Sequence, residues 1–452
     1  MISDAIDHYH SLLSDEALLT RTQELFQAQL EKRRLYFGSV PVCRVLRPQF
    51  YTSEQWEYLQ SRTQIILSAF MKAHAACMEN SDLRAQLDLE PFEEALLSVD
   101  LNVGVTVPWS SSRLDAFYRP ESGYLRFVEY NAETPAGIGY GDQLTDMFLA
   151  MPVMDRFKEK YTAQHLYGMP RLMDVLLRGY HDWGGRGKPQ IAIADWQHVP
   201  TLNEHDISKD YFERHGCPTI KTDPRDMEYR GGHLWVEDFR VDMIYKRVLI
   251  SELVREVGMD APVMQAIRNK AVFITNSFSA KMMAKKASLA FLSDEFNAHL
   301  FTLEERAAIE QHIPWTRRVM DRTTIYQGRE VDLLPFIAEH REQFVIKPND
   351  EYGGHGVVIG WECNPEDWEA AIKNALNNPH VVQEKVTIVE RDFPMMIDGK
   401  LDISPRYVDA NPYVYYGESI GGCLTRLSSA ALLNVTAGSG SVVPMFVVDS
   451  RD

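Results

Sequence analysis

Hydrophobic positions along the chain change their spacing near residue 100 and again near residue 190. Up to about residue 90, apolar side chains recur at helical intervals, as in LLSDEALLTRTQELFQAQLEKRR and SEQWEYLQSRTQIILSAFMKAHAACM. These segments predict N-terminal helices, with Ser53 as an N-cap. Beyond Leu101, NVGVTVPW and SRLDAFYRPESGYLRFVEYNAE alternate between apolar and polar residues, which predicts strands that turn at PESG. A helical stretch over about 142–180 follows.

The second change introduces short apolar strands between helices. PQIAIADW and CPTIKTD are typical of buried strands, and the helix LNEHDISKDYFERHG between them closes at Gly216. A hairpin at MEYRGGHLWVE and a further strand at VDMIYKRV follow. Strand, helix and strand in this order predict a small α/β unit over about 181–275. Residues 276–452 mix helices with glycine-rich hairpins, which is an α+β pattern.

Composition narrows the range of partners. The chain has 452 residues, of which 45% are hydrophobic and 25% charged, as in globular proteins with more than one core. A net charge of −17 disfavours nucleic acids and anionic membranes, but does not conflict with a local basic pocket for a small anion. Scattered cysteines without a CxxC, an acidic first segment unlike a signal peptide, and no apolar run of membrane-spanning length favour the cytoplasm.

The segment FVIKPNDEYGGHGVVIG, residues 344–360, places a lysine at the mouth of a glycine-rich hairpin. Gly353, Gly354 and Gly356 permit close backbone approach, and exposed N–H groups in such a turn form an anion site. Lys347 adds a charge that can reach the same anion. The alternative is a plain hairpin with a surface lysine. No GxxxxGK[ST] motif occurs, and because the loop joins two strands it is not a dinucleotide-binding fingerprint.

A second segment, HVVQEKVTI at 380–388, carries Gln383, Glu384 and Lys385 in a hydrophobic frame. Such a strand can offer main-chain groups to an adenine edge, although an ordinary half-buried strand has the same pattern.

The third segment, residues 111–142, pairs charged side chains across the predicted hairpin. Arg113 and Asp115 are two residues apart and share one face of a strand, as do Glu129 and Asn131. Two carboxylates and an amide oxygen favour Mg²⁺ over zinc, and Arg113 beside them could hold a phosphate oxygen. A solvated hairpin face with an ion pair is the alternative. The Pro- and Gly-rich continuation EYNAETPAGIGY favours the site.

Together these motifs resemble the circularly permuted ATP-grasp family, including the synthetase domain of glutathionylspermidine synthetase. RLDAF…RFVEYNAETP is similar to its metal-binding strands, VIKPNDEYGGHGVVIG and VVQEKV to its nucleotide-binding half, and GGCLTRLSS…LNVTAGSGS to its final segment. Metal strands precede nucleotide-binding lysines here, as in the permuted proteins. The resemblance implies an N-terminal helical segment (1–94), metal-binding strands and helices (95–180), a Rossmann-like pre-ATP-grasp domain (181–275) and a nucleotide-binding part (276–452).

The resemblance also implies roles for individual residues. Asp115, Glu129 and Asn131 match Mg²⁺ ligands, with two ions expected, and Arg113 and Arg426 match arginines at the transferred phosphate. Lys347 and Lys286 match the lysines that bind ATP phosphates, with Lys281 and Lys285 as neighbouring alternatives to Lys286. The glycine loop (Gly353, Gly354, Gly356), Gln383 and the adenine hinge (Glu384, Lys385, Val386) complete the nucleotide site. Cys423, inserted in IGGCLTR, departs from the family pattern and leaves the position of Arg426 open.

The activity that the resemblance implies is an ATP- and Mg²⁺-dependent ligase that joins a small carboxylate to an amine through an acyl phosphate. A phosphotransferase on the same fold and a non-catalytic ATP-binding protein are the alternatives. A protein kinase is disfavoured because HRE and RDFP replace the kinase motifs HRD and DFG. Lys246 and Arg247, at the end of a predicted strand, are candidates to bind a substrate carboxylate.

Overall fold

A computed structural model describes residues 1–104, 107–351, 353–429 and 440–451. Most of the predicted LNVTAGSGS segment lies outside these residues, as does the NVT sequon at 434–436. Across the described ranges, no helix is both long and apolar enough to cross a bilayer.

The N-terminal segment is mainly helical, as predicted. Its longest helix begins after Thr52, not after Ser53: the Thr52 hydroxyl accepts from Gln55 N at 3.1 Å, and the Gln55 side chain accepts from Thr52 N at 3.0 Å. This reciprocal capping box corrects the predicted N-cap by one residue. Elements of this segment are α1 Ile2–Leu12, α2 Glu16–Lys32, β1 Tyr36–Phe37, β2 Val40–Pro41, β3 Gln49–Tyr51, α3 Ser53–Glu79, α4 Ser81–Arg84 and α5 Pro91–Val103.

A hairpin and a group of helices follow. The hairpin turns at 120–123, where Gly123 has a φ of +64°, as the PESG motif predicts. The next elements are β4 Ser111–Arg119, β5 Tyr124–Asn131, α6 Ile138–Leu149, α7 Pro152–Phe157, β6 Tyr161–His165 and α8 Met169–Trp183. Two predictions are wrong here. NVGVTVPW begins as the last residues of α5, and β6 interrupts the expected helical stretch because it pairs with a strand at the far end of the chain.

The α/β unit contains a four-stranded parallel sheet with strand order β13-β12-β7-β8. Its elements are β7 Ile191–Ala194, α9 Leu202–Arg214, β8 Thr219–Thr222, β9 Met227–Arg230, β10 His233–Val236, β11 Phe239–Val241, β12 Met243–Lys246, α10 Ile250–Val257, α11 Pro262–Arg268 and β13 Phe273–Thr275. Continuous burial of β7 explains its unbroken apolar sequence, and β12 is buried throughout as well, including Lys246 at its end. The strands and helix predicted for this region are confirmed, while the domain boundaries stay a prediction.

The next region forms a four-stranded antiparallel sheet with order β14-β19-β17-β18. Its elements are α12 Ala280–Ala284, α13 Ala287–Ser293, α14 Leu303–His312, β14 Thr316–Arg318, β15 Thr323–Tyr326, β16 Arg329–Asp332, α15 Leu333–Glu339, β17 Phe344–Pro348, β18 Val358–Ile359, α16 Pro365–Ala375 and β19 His380–Glu384. The predicted glycine-rich hairpin is β17, β18 and the loop between them. Trp368 and Phe344 belong to the small core that packs beneath this sheet.

Strands near the end of the chain complete a seven-stranded sheet that also contains the β4–β5 hairpin. Its order is β20-β21-β23-β22-β4-β5, with β24 paired to β23, and β22 pairs with β4 through Tyr413 opposite Arg113. Its strands after the hairpin are β20 Val389–Ile397, β21 Lys400–Val408, β22 Asn411–Tyr415, β23 Ser419–Ser428 and β24 Ser441–Val443. The last strand, β25 Met445–Ser450, lies between β3 and β6 in a separate three-stranded sheet. Strands from both halves of the chain therefore share one sheet, which brings the predicted metal strands next to the segment that contains Arg426.

Candidate active site

The β4–β5 hairpin brings the predicted metal-site residues together as two cross-strand pairs. Arg113 lies opposite Asn131 and Asp115 opposite Glu129, so the sharing of faces expected from the sequence is present. One terminal atom of the Asn131 amide, Nδ2, is buried without a hydrogen-bond partner in the described structure. If the amide is rotated by half a turn, its oxygen takes the place of Nδ2. Asn131 can therefore supply an oxygen ligand to a metal ion.

Asp115 is buried between two arginines. Arg113 donates to both of its oxygens, at 2.7 and 3.0 Å, and Arg426 Nη2 donates to Oδ2 at 2.8 Å. Burial raises the pKa of Asp115, but the two guanidinium groups outweigh it and hold the pKa below its usual value. The carboxylate is therefore ionised at neutral pH.

Arg426 bridges two carboxylates, Asp115 on β4 and Asp409 in the connection between β21 and β22. Its Nε donates to Asp409 Oδ2 at 2.6 Å, and its backbone N–H donates to Oδ1 of the same residue at 2.7 Å. Despite Cys423, the GGCLTR segment thus orients Arg426 towards Asp115. Burial raises the pKa of Asp409, although Arg426 opposes this shift. Sequence reasoning missed Asp409 because its partners lie on other strands and it belongs to no recognisable motif.

Of the three candidate lysines near residue 285, Lys286 is the one that reaches Glu129. Lys286 Nζ lies 3.2 Å from Glu129 Oε1 and donates to the carbonyl of Glu351 at 2.5 Å. Lys281 and Lys285 are buried elsewhere and pair with other carboxylates. The geometry favours the assignment of Lys286 as the phosphate-facing lysine.

Lys347 lies at the end of β17, where the glycine-rich loop begins. Its ammonium donates to Gln383 Oε1 at 2.7 Å and forms no ion pair among the described residues. Burial lowers the pKa of Lys347 to about 8, with a smaller opposing effect from Glu129. Gly353, Gly354 and Gly356 have φ values of +66°, +79° and +70°, which residues with a Cβ rarely adopt. A charge with no acidic partner beside this backbone is suited to a polyanionic ligand.

The predicted adenine hinge follows β19. The backbone N–H of Glu384 donates to Trp315 O at 2.8 Å and that of Lys385 to Gln343 O at 2.7 Å, so neither is available to a ligand. The Glu384 side chain accepts from Tyr326 at 2.9 Å, and the Lys385 ammonium lies 4.1 Å from the centre of the Trp361 ring. The carbonyl groups, the N–H of Val386 and the apolar walls are therefore what the hinge offers to a base bound here.

These elements enclose a cavity of about 230 Å³ between the antiparallel sheet and the seven-stranded sheet. Every residue predicted for the nucleotide, the metal or the transferred phosphate lines it except Arg113, Asn131 and Gly356, while the substrate candidates Lys246 and Arg247 do not. The lining residues are Asp115, Ala116, Phe117, Val128, Glu129, Lys286, Val345, Lys347, Glu351, Gly353, Gly354, His355, Val357, Ile359, Trp361, Gln383, Glu384, Lys385, Val386, Ile388, Asp409 and Arg426. Apolar side chains at one end and opposed charges at the other are what a nucleotide with its phosphates and metal requires.

The residues of the predicted metal site can supply oxygen ligands to a divalent cation, although they do not form a dense acidic cluster. In the described ranges, no group of three or more His, Cys, Asp or Glu side chains is arranged to hold a metal ion. The predicted set contains two carboxylates and one amide, and Mg²⁺ characteristically completes its shell with water and phosphate oxygens.

Comparison with known families agrees with this geometry. The family described as circularly permuted ATP-grasp type 2 matches residues 114–428, which is more than half of the chain. The chain belongs to this family. The matched range runs from the metal strands to the end of β23, so it contains both walls of the cavity.

Relatives with assigned names share limited sequence with this ATP-grasp chain. A Frankia casuarinae protein with the provisional name glutamate–cysteine ligase 2-2 is 24% identical over 341 residues, covering 71% of this chain and 36% of that protein. A Frankia alni protein provisionally named glutamate–cysteine ligase 2-3 is 24% identical over 357 residues, covering 74% and 38%. The chain thus spans little more than a third of the length of these relatives.

Among solved structures, a glutathione synthetase-like effector from Globodera pallida has a TM-score of 0.59 at 9% identity, covering 96% of this chain and 97% of that one. At this identity the likeness shows a shared fold alone.

Two further candidates for substrate binding are occupied by contacts within the ATP-grasp chain. Lys246 is buried and lies 3.6 Å from Glu133. Arg247 donates to the carbonyls of Pro135 and Thr134, at 2.8 and 3.3 Å. Both side chains therefore hold the loop after β5 in place, which does not support the prediction that they bind a substrate carboxylate.

Proposed function

We propose that this protein is an ATP- and Mg²⁺-dependent ligase that joins a carboxylate to an amine and releases ADP and phosphate. The observation that carries this proposal is the arrangement at the charged end of the cavity. Lys286, Lys347 and Arg426 supply positive charge there, while Asp115 and Glu129 supply metal-binding oxygens. Membership in the ATP-grasp family supports ATP as a substrate.

In the proposed reaction, the substrate carboxylate attacks the γ-phosphate of ATP to form an acyl phosphate, and the amine then displaces phosphate. The chain provides positioning and charge rather than covalent chemistry. Lys347 and Lys286 hold the phosphates, and Arg426 stabilises negative charge on the transferred phosphoryl oxygens. Arg113 acts by fixing the carboxylate of Asp115, to which it donates two hydrogen bonds.

Asp115, Glu129 and Asn131 would hold Mg²⁺, which we take to be two ions. When bound, the ions neutralise phosphate charge and orient the phosphates for transfer. Glu129 and Lys286 lie 3.2 Å apart, so Glu129 is placed to face the cation and Lys286 the phosphates of a metal–nucleotide complex. Asp115 is kept ionised by its arginines and is ready to accept a cation without losing a proton.

The provisional names of the Frankia relatives support amino acids as substrates, with a carboxylate such as that of glutamate and an amine such as that of cysteine. Because the match spans about a third of those proteins, the identity of both substrates is part of the proposal. ATP and free amino acids are also cytoplasmic metabolites, which agrees with the cytoplasmic location that we infer.

The experiment is a screen of ATP consumption with pairs of amino acids and polyamines, with glutamate plus cysteine as the first pair and mass spectrometry of the products. We expect ADP, phosphate and an amide to appear together, and only when both substrates are present. The Asp115→Asn variant serves as the control, because it is close in size but carries no charge. A phosphorylated product without an amide would instead support a phosphotransferase. Nucleotide binding without any product would support a binding protein.

A further inference from the structure

A row of alternating charges lies beneath the glycine-rich loop and outside the nucleotide cavity. Its members, in the order of their contacts, are Lys246, Glu133, Lys281, Asp350, Lys285 and Glu93. Of the residues that the structure describes around the cavity, none belongs to this row. The row is therefore separate from the lining of the cavity.

Lys281 is the central member. Its ammonium lies 3.0 Å from Glu133 Oε2 and 2.5 Å from Asp350 Oδ1, and its side chain is only 5% exposed. Burial alone would lower the pKa of Lys281, but the two carboxylates outweigh burial and raise it. The ammonium is thus charged and shared between two acids, which fixes both of them in relation to each other.

The two acids lie next in sequence to the two segments that form the walls of the candidate site. Glu133 follows the metal strand β5, two residues after Asn131, and its other oxygen accepts from Ile250 N at 2.6 Å. Asp350 precedes Glu351, at the base of the glycine-rich loop, where the backbone carbonyl of Glu351 accepts from Lys286. The contact through Lys281 therefore joins the segments that carry the two walls, at a place outside the cavity.

We propose that Lys281 and Asp350 are positioning residues, which tie the base of the glycine-rich loop to the end of the metal strand and so set the separation of the two phosphate-binding walls. This proposal rests on the proposed function for its consequence in catalysis. Asp350 is the point at which this tie can open, because 33% of its side chain is exposed whereas Glu133 and Lys281 are buried.

The test compares Lys281→Met and Asp350→Asn with a control, Lys72→Met. The control removes a lysine that lies 2.7 Å from Glu305, a residue of α14 and not a member of the charged row. Hydrogen exchange of peptides covering 344–360 is measured without ligand, and the affinity for ATP with Mg²⁺ by calorimetry. In both test variants we expect faster exchange in these peptides and about tenfold weaker ATP binding, with neither change in the control. Lys281→Arg should retain most of the protection.

Unchanged exchange in a folded Lys281→Met protein would overturn the proposal. Weaker ATP binding with unchanged exchange would also overturn it, because Lys281 would then be a direct ligand of the nucleotide. Failure of the proposed function has a different signature. If wild-type protein binds no nucleotide, the ligase proposal falls, while the exchange measurement still decides whether the loop is tied down through Lys281.

Discussion

Arg426 donates a hydrogen bond to Asp115, a residue 311 positions earlier in the chain, over 2.8 Å. The same guanidinium donates to Asp409 at 2.6 Å, so one side chain on β23 connects β4 with the segment between β21 and β22. A fixed guanidinium with two carboxylate partners is already oriented before substrate arrives. We infer that this orientation is what makes Arg426 useful at a phosphoryl group, because little reorganisation is needed as charge develops.

Substitution of Arg426 by lysine should lower kcat by about 100-fold with a smaller effect on the KM for ATP. Lysine keeps the charge but cannot donate to two carboxylates in a fixed planar geometry. Steady-state kinetics of the ligase reaction measure both constants. The matched control is Arg178→Lys, which disrupts the exposed double hydrogen bond of Arg178 to Glu418. Equal turnover in the two variants would remove Arg426 from the active site.

ATP affinity should depend on pH through Lys347. Because burial lowers the pKa of Lys347 to about 8, the free protein loses this charge as pH rises through 8, and its contact with phosphate weakens. We expect the Kd for ATP to increase between about pH 7 and pH 9. Lys347→Arg should show a flatter profile since arginine stays charged, and Lys347→Ala should lose about 1.5–3 kcal/mol of binding free energy at pH 7.

Calorimetry at several pH values provides these affinities, and the ionisation of ATP itself affects wild type and variants alike. A wild-type profile as flat as that of Lys347→Arg would contradict the assignment. So would an unchanged Kd in Lys347→Ala, which would leave Lys347 with no role in binding phosphate.

The sequence predicted those parts of the site that depend on local order. Asp115 and Glu129 could be paired because each strand alternates its faces and the turn between them carries its own signal. Lys347 could be placed because glycines follow it directly. Asp409 and Glu133 could not be found, since their partners lie on distant segments and local spacing does not encode such contacts.

The errors in secondary structure have the same origin. Strand β6 was missed because its partner is β25, almost 300 residues away, and its helical flanks dominate the local pattern. At α3, Thr52 and Ser53 are both good capping residues, and the capping box with Gln55 decides between them. Choices of this kind depend on geometry that composition alone does not fix.

Asn276 should be important for stability rather than chemistry. Its amide donates to Ser111 O and Ala132 O at 2.7 and 2.8 Å and accepts from Ser110 N at 2.8 Å, all in buried surroundings. Asn276→Ala leaves these backbone groups unpaired, and at about 1–3 kcal/mol each the free energy of unfolding should fall by at least about 3 kcal/mol. Urea denaturation measures this loss. The control Asn269→Ala removes an exposed helix contact, and an equally small effect in both would be inconsistent with this role.

Glu129→Gln separates a ligase from a binding protein. The substitution conserves size, so the hairpin should stay folded, but it removes one negative charge from the proposed metal site. It also releases Lys286, which lies 3.2 Å from Glu129. Ground-state ATP binding should survive through Lys286 and Lys347.

The rate of phosphoryl transfer should nevertheless fall strongly, because the charge of the metal matters most where negative charge develops in the transition state. We expect kcat to fall by more than about 100-fold with less than about tenfold change in the Kd for ATP, and partial recovery with raised Mg²⁺ or with Mn²⁺. Asn131→Asp should be milder since an oxygen donor is retained. Product formation by mass spectrometry and ATP binding by calorimetry are measured on the same preparation. If Glu129→Gln forms product at the wild-type rate, the metal assignment fails, whereas parallel loss of binding and turnover would place Glu129 in nucleotide binding alone.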